Sequence, residues 1–158
     1  MDIFLLRHGI AQDRTLEIPD ASRRLTPKGE RLLRRVLETA KRAGVEPELI
    51  LTSPLRRAQE TAALASEVLG CPRVRETRAL LPEIAPVAVW KELQGLENVS
   101  RVLLAGHEPH MSLLLAYLLN APVPLDFKKG ALVRVNMRSM ETPRGVLKWM
   151  LTPSLTRG

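Results

Sequence analysis

Ile3-Phe4-Leu5-Leu6-Arg7-His8-Gly9 opens the chain with a short apolar run that stops at a guanidinium, an imidazole and a glycine. An apolar run of this length, ended by a glycine, reads as a buried strand. Two later stretches repeat the design: Leu49-Ile50-Leu51-Thr52 before Ser53-Pro54, and Arg101 to Ala105 before Gly106-His107. Each run leads into a helical pattern. Thr26 is predicted to cap a helix that begins at Pro27, runs to Ala43 and stops at Gly44. Its apolar stripe is Leu32, Leu33, Val36, Leu37 and Ala40. Ser53 and Pro54 are predicted to cap and open a second helix, ending near Leu69 before Gly70. Residues 86–96 and 109–119 read as further helices, and 73–77 as a short strand. Alternation in 131–137 and 146–151, across Pro143-Arg144-Gly145, predicts a C-terminal hairpin. The expected fold is α/β: a three-layer sandwich with a largely parallel central sheet flanked by helices, closed by the hairpin strands. The 158 residues suit a single domain spanning 1–158.

Composition narrows the function. Hydrophobic residues are 45% and charged residues 26%, the balance of a globule rather than of a disordered chain. No run of about eighteen apolar residues occurs, so no membrane-spanning helix is expected. The first residues lack a basic region followed by a signal-peptide core. Cys71 is the only cysteine, which excludes an internal disulfide framework and makes a reducing cytoplasm the expected compartment. The net charge of +7 favours anionic partners. Aromatics are 3%, too few for the stacking surfaces of a nucleic-acid binder, so no nucleic-acid partner is expected.

In such a sheet, ligands bind at the carboxyl ends of the strands. Three predicted strands end in residues suited to a phosphoryl group: Arg7-His8-Gly9, Ser53 to Arg57, and Gly106-His107. A neutral imidazole attacks phosphorus well and also leaves well, which suits His8 to a covalent intermediate. Arg7 offers a planar fork of donors to phosphoryl oxygens. On the second helix, Arg56 shares a polar row with Glu60 and Glu67, whereas Arg57 lies over Thr61, Leu64 and Val68. A charge on that inward row needs a partner, and a bound anion would supply one, so Arg57 is favoured over Arg56 as the ligand. His107 follows a strand and precedes a helix whose free N–H groups would face an anion. Protonated, it could clamp a phosphoryl oxygen. His107 and His110 are three residues apart, not the four of a His-Glu-x-x-His zinc helix, and no metal or cofactor is expected.

Leu6-Arg7-His8-Gly9, Ser53-Pro54-Leu55-Arg56-Arg57-Ala58-Gln59-Glu60-Thr61 and Gly106-His107, in this order, resemble the three signatures of the histidine phosphatase, or phosphoglycerate-mutase-like, superfamily. The short length, Leu25-Thr26-Pro27-Lys28-Gly29 and the Ser-Pro-x-x-Arg-Ala pattern resemble its SixA-type phosphohistidine phosphatase branch. The resemblance implies that His8 is the phosphorylated nucleophile and that Arg7, Arg57 and His107 hold the phosphate, without a metal. It places the family's general acid at Glu83 or, more weakly, Glu76. Arg23, Arg24 and Lys28 could rim the pocket and draw in an acidic substrate, but a solvated loop is the favoured reading.

The implied activity is a metal-independent phosphatase, with phosphohistidine in proteins as the expected substrate. A small-molecule phosphomonoesterase on the same site is the alternative. A mutase would need more covering sequence than this chain has, and a non-catalytic phosphate-binding module would not need all four pocket residues.

Overall fold

A computed structural model describes residues 1–156. Six strands form one sheet: β1 (Asp2–Arg7), β2 (Leu49–Thr52), β3 (Val74–Glu76), β4 (Arg101–Gly106), β5 (Leu132–Asn136) and β6 (Val146–Leu151). Their order is β3-β2-β4-β1-β5-β6. The first four in that order pair in parallel, whereas β5 and β6 join antiparallel at one edge. The sheet is therefore mixed, with its parallel part at the segments that carry the phosphate motifs. The helices are α1 (Pro27–Arg42), α2 (Arg56–Leu69), α3 (Val87–Gln94) and α4 (His110–Leu119).

Strand period divides the core in two. Ile3, Leu5, Leu49, Leu51, Val102 and Leu104 face α3 and α4, meeting Val89, Trp90, Met111 and Leu115. Phe4, Leu6, Ile50, Leu103 and Ala105 face the other way, onto Leu33, Leu37, Ala62 and Ala65 of α1 and α2. This alternation produces the three layers. The predicted stripe of α1 is buried except for Leu32, which stays half-buried. Among the described residues, no helix is long and apolar enough to cross a membrane.

Local signals set α1. The Thr26 hydroxyl accepts the Gly29 N–H, and Pro27 is the first helical residue. Gly44 takes φ +83° just past the helix, a conformation that favours glycine. The start of α2 departs from expectation. It begins at Arg56 with Leu55 as N-cap, two residues later than Ser53-Pro54 would place it. The Ser53 hydroxyl accepts the Leu55 N–H in a tight turn and also meets His107, so it is unavailable as a cap for the next turn.

Gly29 sits where α1 crosses the backbone that follows the His8 loop. The Ile10 carbonyl accepts the Thr26 N–H, and a Cβ on residue 29 would overlap that carbonyl oxygen. Helix propensity alone favours alanine there by about 1 kcal/mol. Backbone overlap outweighs it, and Gly29→Ala is expected to lose about 1–3 kcal/mol in urea unfolding. Parental or higher stability in that variant would show the two backbones to be less tightly apposed.

Candidate active site

The parallel register brings two loops together. Arg7 of β1 pairs with Gly106 of β4, and the His8 N–H donates to the Gly106 carbonyl at 2.9 Å. His8 and His107, the next residue on each strand, therefore sit side by side, with ring centroids 5.2 Å apart. From the other side the Gly130 N–H donates to both the Arg7 and His8 carbonyls at 3.1 Å. Below, the Gly9 N–H donates to Thr61 Oγ1, whose hydroxyl donates to the Arg57 carbonyl. That chain ties the β1 loop to the first turns of α2.

The His8 ring has a defined tautomer. Its Nδ1 lies 2.7 Å from the Gly9 carbonyl oxygen, which can only accept. Nδ1 therefore carries the hydrogen, and the lone pair is on Nε2. His107 Nε2 lies 2.7 Å from Ser53 Oγ. That hydroxyl already accepts the Leu55 N–H, leaving its hydrogen free to donate to His107. In this arrangement, assigned from the network, Nδ1–H of His107 is left as a donor.

Arg7, His8, Arg57, Glu83 and His107 all line one cavity of about 440 Å³. Three buried nitrogens within this group have no partner: Arg7 Nε, Arg57 Nε and His107 Nδ1. Arg7 is anchored by Nη1 donating to the Phe127 carbonyl at 2.6 Å. Unpartnered buried polar groups are uncommon and call for a ligand; two here are guanidinium donors and His107 Nδ1 is a third in the tautomer assigned above, so the set suits the oxygens of a tetrahedral anion. Arg56 points away and pairs with Glu60 at 3.3 Å, while Arg57 is only 3% exposed. Helix-face geometry thus separated the neighbours correctly in space.

Several wall residues were not anticipated. Arg14, Asp20, Glu108 and Lys129 also line the cavity. Arg23, expected on a solvated loop, lines it too, whereas Arg24 and Lys28 do not. Glu76 lies elsewhere, bonded to Gln59. Glu108 accepts from both the N–H and the hydroxyl of Ser112. Five cations (Arg7, Arg14, Arg23, Arg57, Lys129) against three carboxylates (Asp20, Glu83, Glu108) leave an excess of two positive charges.

That excess and the burial keep both imidazoles neutral. Burial first, then Arg57 and Arg7, push His8 down to about 4 against the hydrogen bond to Gly9. Burial, His8 and Arg57 push His107 down to about 3. The neutral form of His107 is favoured by its burial, and its Nδ1–H can donate without a full charge. Among the described residues, no group of three or more His, Cys, Asp or Glu side chains is arranged to hold a metal ion.

A model of the histidine phosphatase superfamily (branch 1) matches residues 3–85. Phosphohistidine phosphatase SixA of Escherichia coli (strain K12) is 32% identical across 97% of this chain and 94% of its own length. An uncharacterised protein of a Picosynechococcus strain is 34% identical over 70% of this chain and 68% of that protein. Among solved structures, the protein histidine phosphatase SixA complexed with tungstate superposes with a TM-score of 0.91 at 29% identity, covering 99% of this chain and 100% of that one.

The depressed histidines carry a stability consequence. Unfolded, each takes up a proton near pH 6.5; folded, His8 and His107 resist until about 4 and 3. Their contribution is complete above pH 6.5 and is lost as pH falls toward about 4 for His8 and about 3 for His107. Unfolding free energy is expected to drop between pH 6 and 4.5, and His107→Asn to reduce that slope by about 1.4 kcal/mol per pH unit. Chemical denaturation at stepped pH measures it; equal slopes in the two proteins would contradict the assignment.

Proposed function

The chain belongs to the histidine phosphatase superfamily, and on that premise we propose that it removes the phosphoryl group from phosphohistidine side chains of proteins, through a transient phosphohistidine of its own at His8. The observation that carries this reading is the His8 ring, with Nδ1 tied to the Gly9 carbonyl and Nε2 free, beside unpartnered donors from Arg7, Arg57 and His107. The likeness to the SixA phosphatase over nearly the whole chain supports the substrate class.

In the first step the Nε2 lone pair of His8 bonds to phosphorus as the bond to the substrate's imidazole nitrogen breaks. The departing nitrogen takes a proton. Glu83 is our candidate donor, because it lines the cavity and, among the described residues, has no ion-pair or side-chain hydrogen-bond partner, whereas both Glu108 oxygens are engaged by Ser112. Imidazole leaves more readily than an alkoxide, so this proton matters less for phosphohistidine than for an alcohol ester. In the second step water attacks phosphorus and gives a proton to the Glu83 carboxylate, the bond to His8 breaks with its electron pair returning to Nε2, and inorganic phosphate leaves. Arg7, Arg57 and His107 grip the non-bridging oxygens throughout, and their prearranged donors stabilise the charge as the phosphoryl group moves. These side chains supply the positive charge that other phosphatases draw from a metal. We place the activity in the cytoplasm, in keeping with the free, buried Cys71 thiol.

Hydrolysis of p-nitrophenyl phosphate is expected to survive EDTA and to vanish in His8→Ala. An acid-labile, base-stable phosphate should be trapped on the parent protein and map to residue 8. Arg57→Ala is expected to lose about 10²–10³ in rate, on the scale of removing one transition-state donor, with Arg56→Ala close to the parent. The reverse order of the two arginine variants would overturn the assignment. Turnover of small esters with none of phosphohistidine protein would favour a phosphomonoesterase.

A further inference from the structure

Arg57 already has an anionic partner inside the molecule. Its Nη1 donates to the Asp20 carbonyl at 3.0 Å, and its Nη2 lies 3.4 Å from Asp20 Oδ2. The guanidinium is almost fully buried, and burial opposes its charge while Asp20 supports it. A buried cation without a counter-charge is strongly unfavourable, and Asp20 supplies that counter-charge from within the chain. The same carboxylate serves two more bases: Arg23 Nε reaches Oδ1 at 3.0 Å and Arg14 Nε at 3.5 Å. Burial pushes the Asp20 carboxyl up, but Arg57 and Arg23 outweigh it and hold it below the usual range. Asp20 is therefore an anion at neutral pH and a poor proton donor.

A phosphoryl group bound at Arg57 would share that guanidinium with a carboxylate of its own sign. We propose that Asp20 is a positioning residue that holds Arg57 in place between turnovers and competes with inorganic phosphate for it, so that product leaves. This rests on Arg57 being a phosphoryl ligand, as proposed above. With Asp20, the cavity's excess of two positive charges matches a phosphate dianion; without its charge the excess would be three. Stronger binding shared equally by substrate, transition state and product lowers KM without raising kcat and slows product release. The contact from the Asp20 backbone carbonyl does not depend on the side chain. Asp20→Asn therefore removes the charge while keeping much of the orientation of Arg57.

The test compares the parent with Asp20→Asn and Asp20→Glu, using inorganic phosphate as probe. The phosphate inhibition constant against p-nitrophenyl phosphate hydrolysis is expected to fall about fivefold in the asparagine variant, the scale of one partly screened charge. KM should fall with it and kcat should not rise. Phosphate should raise the melting temperature of Asp20→Asn more than that of the parent, because it supplies the missing counter-charge. Asp20→Glu, which retains the charge, should resemble the parent, and added salt should narrow the difference. A residue that merely braced Arg57 would act oppositely, raising both the inhibition constant and KM when lost. That result, or an unchanged inhibition constant, overturns the proposal. If Arg57→Ala is as active as the parent, the phosphoryl-site reading fails; if Arg57→Ala is inactive and Asp20→Asn leaves phosphate binding unaltered, only the role of Asp20 fails.

Discussion

One hydrogen bond, from His8 Nδ1 to the carbonyl of the next residue, determines what the pocket can do. It selects the tautomer and leaves a lone pair on Nε2, the atom that the proposed reaction directs at phosphorus. Its geometry is fixed because the backbone around it is held from three directions. The His8 N–H is tied to Gly106, the Arg7 and His8 carbonyls to Gly130, and the Gly9 N–H to Thr61. The sheet register thus becomes side-chain orientation, with little left to rotamer choice.

Charge is the second constraint. Burying arginines and imidazoles together is unfavourable unless some groups stay neutral or find anions. Both solutions are present: the two histidines are pushed toward their uncharged forms, and Asp20 lies against Arg57. The site is a held cationic cradle, and its three unpartnered nitrogens are what an anion would complete.

Much of this was legible in the sequence where the determining physics is local. The β2 run and the Thr26-Pro27 start of α1 were readable from capping and hydrophobicity, and the inward placing of Arg57 and outward placing of Arg56 followed from helix period alone. What escaped depended on distant partners. Ser53 looked like an N-cap because its hydroxyl's tie to His107 spans 54 residues. Asp20 lies in a loop without periodicity and meets Arg57 across 37 residues. Arg23 read as solvated surface for the same reason, and the depressed histidines reflect burial that no short window of sequence displays. Leu32 fitted the apolar stripe by spacing, yet it stays half-buried at the margin of the face that α1 packs inward.

The groups of the cradle come from the ends of β1 and β4, the start of α2 and the loop around residue 20, and none of these contacts is between sequence neighbours. A half-formed molecule, with its helices present but β1 not yet seated against β4, would contain every reactive side chain and no site. Turnover in this protein is consequently an all-or-none gauge of chain closure: during refolding, its recovery should trail the return of helical signal and count only molecules whose non-local strand pairing is finished.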